Sequence, residues 1–279
     1  MKSYFFVPAS KLEKIDAISK SGVDEIIIDL EDAIRYQDRA RYRDNLQNLS
    51  DQHRESLWIR VAVKAENQKD LDPAELTKLI QLGYRKFVIP KLSSAPEFMS
   101  LYESTLAQME CTLICLVENA RFLLDLDLVL QQASAKISGL GIGSHDLMND
   151  IQAEHQLENL EYPRSQILYL AKGYRKEAID FADMEINDRE AFRSAVRNGL
   201  QKGFDGKFLI HPRQISLFKE AIKPAEKEYL WAVSIMEHLE KQGLTDSNDQ
   251  EPFILNGQVI EKPHILKAQR IINRYRNAK

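Results

Sequence analysis

A chain of 279 residues, 44% hydrophobic and 29% charged, is long enough for a large core, and its length suits a single α/β barrel, which needs roughly 250 residues. The net charge of −4, without a basic tract, argues against nucleic-acid binding. No stretch approaches roughly 18 apolar residues, and the apolar run near Met1 is too short for a signal-peptide core, so neither a membrane span nor secretion is expected.

In chain order, Tyr4–Val7 reads as a short strand ended by Pro8. Ser10 then stands where it can cap a helix, with Glu13 at the capping-box position. Val23–Leu30 is a second strand running into Glu31 and Asp32, and a charged helix is expected over Arg35–Leu49. Leu57–Val63 and Lys86–Pro90 are the third and fourth strands, separated by a helix capped at Asp72 with Pro73 at its first position. A further helix is expected over Ala95–Gln108.

Residues 112–146 carry the strongest pattern. An apolar run, Thr112–Val117, stops on Glu118. Phe122, Leu123, Leu126, Val129 and Leu130 follow at helical spacing. A second apolar run, Ile137–Ile142, passes through Gly143 to Asp146. The segment from Asp146 to Leu160 reads as irregular, with Pro163 at or just before the start of a helix through Tyr174. Ala178–Asp183 is the seventh strand, Asp188–Gly203 a helix closed by glycine, and Phe204–Ile210 the eighth strand before His211-Pro212. Two helices follow, about 213–222 and 225–243, then a polar loop over 245–251, a turn at Asn256-Gly257 and a basic helix from about Pro263. Cys111 and Cys115 flank one strand, about 13 Å apart if extended, too far for a mutual disulfide. They read as buried thiols of a reducing cytoplasm.

Eight near-continuously apolar strands alternating with helices predict strands buried on both faces of a parallel sheet, closed into a (β/α)8 TIM barrel. The barrel is assigned to residues 1–222 and a C-terminal helical extension to 223–279. No G-x-G-x-x-G or P-loop follows any strand, which removes the support for an open nucleotide-binding sheet.

Active sites of such barrels lie at the C-terminal strand ends. Those ends carry Asp29, Glu31 and Asp32, then Arg60, Lys91, Glu118, His145, Asp146, Asp180, Asp183 and His211. A right-handed βαβ unit makes Glu118 and Asp146 neighbours. As a random pair they would be two turn acids; at adjacent buried strand ends they are candidate ligands of Mg2+. Arg60, within an apolar strand, admits a structural ion pair to the acids after strand two or bidentate binding of a substrate carboxylate or carbonyl, and the second is favoured. Asp29, Glu31 and Asp32 include a helix cap on the plain reading and would otherwise steady metal-bound waters. Lys91 reads as a rim cation, and His145 and His211 as loop histidines with a weaker claim to catalysis.

Nine segments, taken in order, resemble the citrate lyase β-subunit-like (CitE-like) branch of the HpcH/HpaI aldolase superfamily: YFFVPAS, DEIIIDLEDAI, LWIRV, FVIPKLSS, LICLVENAR, GLGIGSHDL, PRSQILYLAKGYRKEAID, GFDGKFLIHPRQI and NGQVIEKPHILKAQRI. They cover nearly the whole chain. The resemblance implies a TIM barrel, Mg2+ on Glu118 and Asp146, and substrate contact by Arg60. It also implies homo-oligomers, trimeric or hexameric, whose C-terminal segment reaches a neighbouring subunit's site. Three positions depart from the family's pattern: Ala62 where Asn is usual, Lys2 where Arg is usual, and Glu261 where the tail acid is usually Asp.

The expected reaction is Mg2+-dependent cleavage of a 3-hydroxy-3-carboxyl acyl thioester, malyl-, citramalyl- or citryl-like, to an α-keto acid and an acyl thioester carried by CoA or an acyl-carrier protein. Arg60 would stabilise oxyanion charge and Glu261 would donate the proton, although Glu261 also suits a plain helix-start acid. Lys91 and Glu118 complete the expected substrate contacts. The alternatives are a pyruvate-type aldolase on free hydroxy-keto acids, with His145 or His211 as base, and a non-catalytic metabolite-binding subunit.

Overall fold

The computed structural model describes residues 1–67, 69–242 and 251–277. It divides into two compact units, Met1–Ile215 and Ser216–Lys279. The first unit begins with β1 (Lys2–Pro8), α1 (Ile15–Lys20), β2 (Glu25–Asp29), α2 (Arg39–Asn45), α3 (Asp51–Ser56), β3 (Trp58–Arg60), α4 (Ala74–Gln81) and β4 (Lys86–Ile89). It continues with α5 (Ala95–Leu101), β5 (Thr112–Val117), α6 (Ala120–Ala133), β6 (Ile137–Ile142), α7 (Ser144–Asp150), α8 (Leu157–Gly173), β7 (Glu177–Asp180), α9 (Arg189–Lys202) and β8 (Gly206–Leu209). The eight strands pair in sequence order and all in parallel, and β8 closes on β1 through Lys2 opposite Gly206, so the predicted TIM barrel is what forms.

The side-chain period of two along each strand sorts inside from outside. Tyr4, Ile27, Trp58, Val88, Ile114, Leu116, Ile179 and Phe208 fill the barrel interior. Their outward-facing neighbours, such as Phe5, Ile28, Cys115 and Leu209, are buried as well. That double burial is why the strands read as continuous apolar runs. Gly141 and Gly206 make the interior packing possible. A Cβ at Gly141 would lie 2.6 Å from the Phe208 ring, and one at Gly206 2.7 Å from the Tyr4 ring. Both cysteines are free and buried, and no helix among the described residues is long and apolar enough to cross a membrane.

Several local expectations are corrected. Ser10 does not cap a helix: Ala9–Lys14 is a tight 3-10 run, interrupted at Lys11 by φ −130° and ψ 37°, and α1 begins only at Ile15. The helix expected over Arg35–Leu49 is confined to α2, with 3-10 turns on either side. A separate helix, α3, follows, where the Ser50 hydroxyl accepts the His53 N–H at 3.3 Å. Residues 146–160 are not irregular, because α7 starts directly after Gly143 and α8 starts at Leu157. Pro163 lies inside α8 and forgoes one backbone hydrogen bond; the buried stripe Leu160, Arg164, Ile167 and Ala171 carries the helix through it.

In the second unit, α11 (Glu226–Lys241) pairs with α12 (Lys262–Asn277). The division between units falls within α10 (Pro212–Ile222). Asn256 (φ 50°) and Gly257 (φ 78°) make the predicted turn, and it joins a hairpin of β9 (Phe253–Leu255) and β10 (Gln258–Ile260). Ile265, Ala268 and Ile271 of α12 pack on Ala232, Ile235 and Leu239 of α11. The apolar side of α12 is thus largely used within its own unit, whereas Leu266 stays 40% exposed. Of the polar loop expected over 245–251, all but Glu251 lies outside the described residues.

Candidate active site

Strand parity decides which acids meet. Asp29, Arg60 and Glu118 stand two residues beyond the interior residues Ile27, Trp58 and Leu116, so their side chains enter the barrel mouth. There they line one cavity of ≈ 340 Å³ together with Asp32 and Asp146. Apolar side chains, among them Phe6, Leu116, Phe208 and Met184, line the same cavity. The volume suits a small metabolite.

Asp29 and Arg60 form the base of the site. The guanidinium donates to both Asp29 oxygens, at 2.8 and 2.6 Å, and Asp29 also accepts the backbone N–H groups of Glu31 and Ala33. The remaining Arg60 nitrogen is 3.2 Å from Asp32 and 3.5 Å from Glu31, and the guanidinium lies 5.0 Å from the centre of the Phe6 ring. Burial opposes the Arg60 charge, but the Asp29, Glu31 and Asp32 carboxylates outweigh it and hold the pKa above its usual value.

Lys91, its side chain 30% exposed, stands beside the cavity-lining Asp32. Its ammonium reaches Asp32 at 2.7 Å and Glu31 at 3.0 Å, and lies 4.0 Å from Asp146. Burial opposes its charge, yet Asp32 and Glu31 raise its pKa. The same two cations keep Asp32 below the ordinary carboxylate range although burial opposes them. The Lys91 backbone adopts a left-handed φ of 56°, and its N–H donates to Glu118 Oε2 at 2.6 Å. Room for Glu118 depends on Gly143, where a Cβ would lie 2.3 Å from Glu118 Cγ.

Five carboxylates (Asp29, Glu31, Asp32, Glu118 and Asp146) face two cations (Arg60 and Lys91). The imbalance appears as raised pKa values. Burial, with Glu31 and Asp146 adding repulsion, pushes Glu118 up to about 8. Burial, with Asp32 adding to it, pushes Glu31 up to about 7 against the pull of Arg60 and Lys91. Glu31 Oε2 is buried without a hydrogen-bond partner, its 3.5 Å from Arg60 being too long for one. An orphaned buried oxygen beside two like-charged carboxylates in an all-oxygen donor set fits a hard divalent cation. Among the described residues no group of three His, Cys, Asp or Glu is disposed to hold a metal. Mg2+ is commonly held by only one or two carboxylates, with water and substrate oxygens completing its shell, so a site needs no third such side chain.

Other candidates lie elsewhere. Asp180 does not enter the mouth. It stands one residue beyond the interior Ile179, faces the helices, and takes two hydrogen bonds from Arg164 at 3.0 and 2.8 Å. Both side chains are almost wholly buried. Asp180→Ala should therefore cost about 3–5 kcal/mol of stability in urea unfolding, because it strands a buried guanidinium; a loss under about 1 kcal/mol would sink this assignment. Asp183 pairs with the buried Lys207 at 2.9 Å. His211 Nδ1 accepts the Arg213 N–H at 3.2 Å, and the residue is absent from the cavity lining. His145 lines the cavity and stacks on His155. Glu261 stands in the second unit, exposed, at the start of α12. Phe6, Phe208, Met184, Ser144 and His155 escaped sequence reasoning. Alternation with Tyr4 would have found Phe6; nothing in the sequence marks His155.

Residues 2–212 match the family described as HpcH/HpaI aldolase/citrate lyase. The chain is 26% identical to the citrate lyase subunit beta of Leuconostoc mesenteroides, over 97% of this chain and 92% of that protein. It is 23% identical to a (3S)-malyl-CoA thioesterase of Cereibacter sphaeroides, over 97% and 93%. Among solved structures it superposes with a TM-score of 0.80 on CitE from Mycobacterium tuberculosis in complex with magnesium, acetoacetate and coenzyme A, at 22% identity over 98% and 97%. RipC from Yersinia pestis superposes with a TM-score of 0.66, at 26% identity over 82% and 97%.

Proposed function

Since the chain belongs to the HpcH/HpaI aldolase/citrate lyase family and is CitE-like, we propose that it is a metal-dependent carbon–carbon lyase. Its substrate would be a 3-hydroxy-3-carboxyl acyl thioester of malyl, citramalyl or citryl type, and its products an α-keto acid and an acyl thioester. One observation carries this reading: the buried Glu118 shares a small cavity with Asp146, Arg60 and several apolar side chains. Glu118 and Asp146 would hold Mg2+, which when bound supplies a Lewis acid toward the substrate's hydroxyl and carboxylate. Arg60, locked by Asp29, would bind and orient the α-keto acid half and stabilise its developing oxyanion. Phe6 and Phe208 would keep water from that half. Asp29, Glu31 and Asp32 would hold the cations and waters around it in place. Lys91 would draw the anionic substrate in. We assign the proton for the departing carbon to Glu261, delivered within a homo-oligomer, trimeric or hexameric, by a neighbouring subunit.

The test offers the full-length protein each thioester with Mg2+ and assays keto-acid release. Keto acid should appear from at least one, and EDTA should stop it. Cleavage of free hydroxy-keto acids alone would overturn this reading in favour of a pyruvate-type aldolase. Mg2+ binding without any turnover would favour a metabolite-binding subunit. Truncation after residue 250 should abolish carbon–carbon cleavage while leaving Mg2+ and keto-acid binding measurable by calorimetry; full activity in the truncated protein would remove Glu261 from the mechanism.

A further inference from the structure

The outer face of α8 carries apolar surface left open to solvent. Tyr162 and Tyr169 stand two turns apart on one stripe of the helix, 67% and 79% exposed. Leu124 and Leu128 stand one turn apart on the adjacent α6, 62% and 48% exposed. A groove of ≈ 480 Å³ runs between the two helices, lined by Leu124, Asp127, Tyr162, Ser165, Tyr169 and Leu170. Single exposed apolar side chains are ordinary, whereas a contiguous set around a groove marks a binding surface. The acid in the groove can lose its water, since Asp127 already accepts from the Tyr174 hydroxyl at 2.6 Å and the Gln131 amide at 2.7 Å.

The charges of α8 select the occupant. Glu154 and Glu158 stand just before the helix and in its first turn, and Lys172 and Arg175 stand in its last turn and just after it. Lys172 is tied to Asp205 at 2.5 Å. Among the described residues, Glu154, Glu158 and Arg175 form no ion pair within the subunit. A helix dipole favours the same polarity, but it does not explain the tyrosine pair centred between the charges. An axis passing between Ser165 and Gln166 sets Tyr162 opposite Tyr169 of a second copy. The same axis sets Arg175 opposite Gln156, flanked by Glu154 and Glu158. An apolar centre with opposite charges mirrored about one midpoint is self-complementary, which a two-fold axis requires and a different partner does not.

We propose that α8 pairs antiparallel with α8 of a second copy of this chain, about a two-fold axis beside Ser165, and that each groove receives Tyr169 of the other copy. The small Ser165 at the axis lets the helices approach closely. The pairing uses no residue of the barrel-mouth cavity and does not rest on the lyase reading. It is a different interface from the one through which a neighbouring subunit would deliver Glu261. By itself it makes a dimer, and combined with a closed trimer it makes a hexamer.

The test weighs the full-length protein by light scattering after gel filtration. The parent should have the mass of two chains, or of six where the trimer also forms, and Tyr169→Glu should halve it. Tyr169 is exposed, so the charge leaves the subunit's own packing intact, and an unchanged circular dichroism spectrum checks this. Separately, mild oxidation of Ser165→Cys should link two chains, seen as a band of twice the chain mass on a non-reducing gel. The chain's own cysteines are both buried and do not compete. A parent that is a monomer or a trimer leaves this face to some other partner and overturns the pairing. So does a Tyr169→Glu protein of parental mass, or a Ser165→Cys protein that does not cross-link. None of these results bears on keto-acid release, so the lyase reading stands or falls separately.

Discussion

Glu118→Gln should lower Mg2+-dependent turnover by at least about 10³-fold, because it removes the only buried carboxylate of the proposed metal pair and leaves a weak, neutral ligand. Isothermal titration should show the loss of Mg2+ affinity directly. The same variant makes an opposite prediction for stability. In the folded protein burial lifts the Glu118 pKa from its ordinary 4.5 to about 8. The native state therefore binds this proton more tightly than the unfolded chain does. That contribution is fully present below the unfolded value and is lost as pH rises through about 8. Glutamine cannot lose a proton, so without metal the variant should melt above the parent at pH 8–9 and show a flatter pH dependence. Mg2+ should raise the melting temperature of the parent and leave the variant unchanged. Parental turnover in Glu118→Gln would end the metal assignment.

Arg60→Lys should lower kcat/KM by about 10²–10³-fold, since a point charge cannot keep two parallel bonds to Asp29 and also present a planar donor edge to a carboxylate or oxyanion. A stability loss of about 2 kcal/mol should accompany it, the worth of one charge-assisted hydrogen bond left unmade at the buried Asp29. The two readouts separate the two roles this arginine was expected to choose between. The ion pair to Asp29 is present, so the structural role is real. A destabilised variant with parental kinetics would confine Arg60 to that role, and a large kinetic loss with preserved melting would make it chiefly a substrate contact.

How much of this was legible beforehand differs by level. The eight strands were readable as apolar runs, and β5 and β6 were read to the residue because Glu118 and Gly143 terminate them. Helix ends set by a side-chain cap or a glycine were also readable: Asp188 accepts the Ala191 N–H at 2.9 Å, and Gly203 closes α9 at φ 106°. Helices set by tertiary burial were not. α7 and the first turns of α8 lie in a polar stretch, and Pro163 reads as the start of a helix that in fact begins at Leu157.

By itself the sequence determined that this protein has eight parallel strands and which residues stand at their C-terminal ends, because βα alternation and right-handed crossovers send every such end to one side. It therefore named Asp29, Arg60, Lys91, Glu118 and Asp146 together. Only the tertiary structure decided which of the strand-end acids turn inward. Strands buried on both faces show no polar–apolar alternation, so nothing in the sequence says that Asp29 enters the mouth while Asp180 turns outward to Arg164. Only closure of the barrel and the packing of its loops brought Lys91 among Glu31, Asp32 and Asp146, and set His155 against Ser144. Those contacts depend on strand register and loop path, which are set by the packing of the whole barrel rather than by any local run of residues.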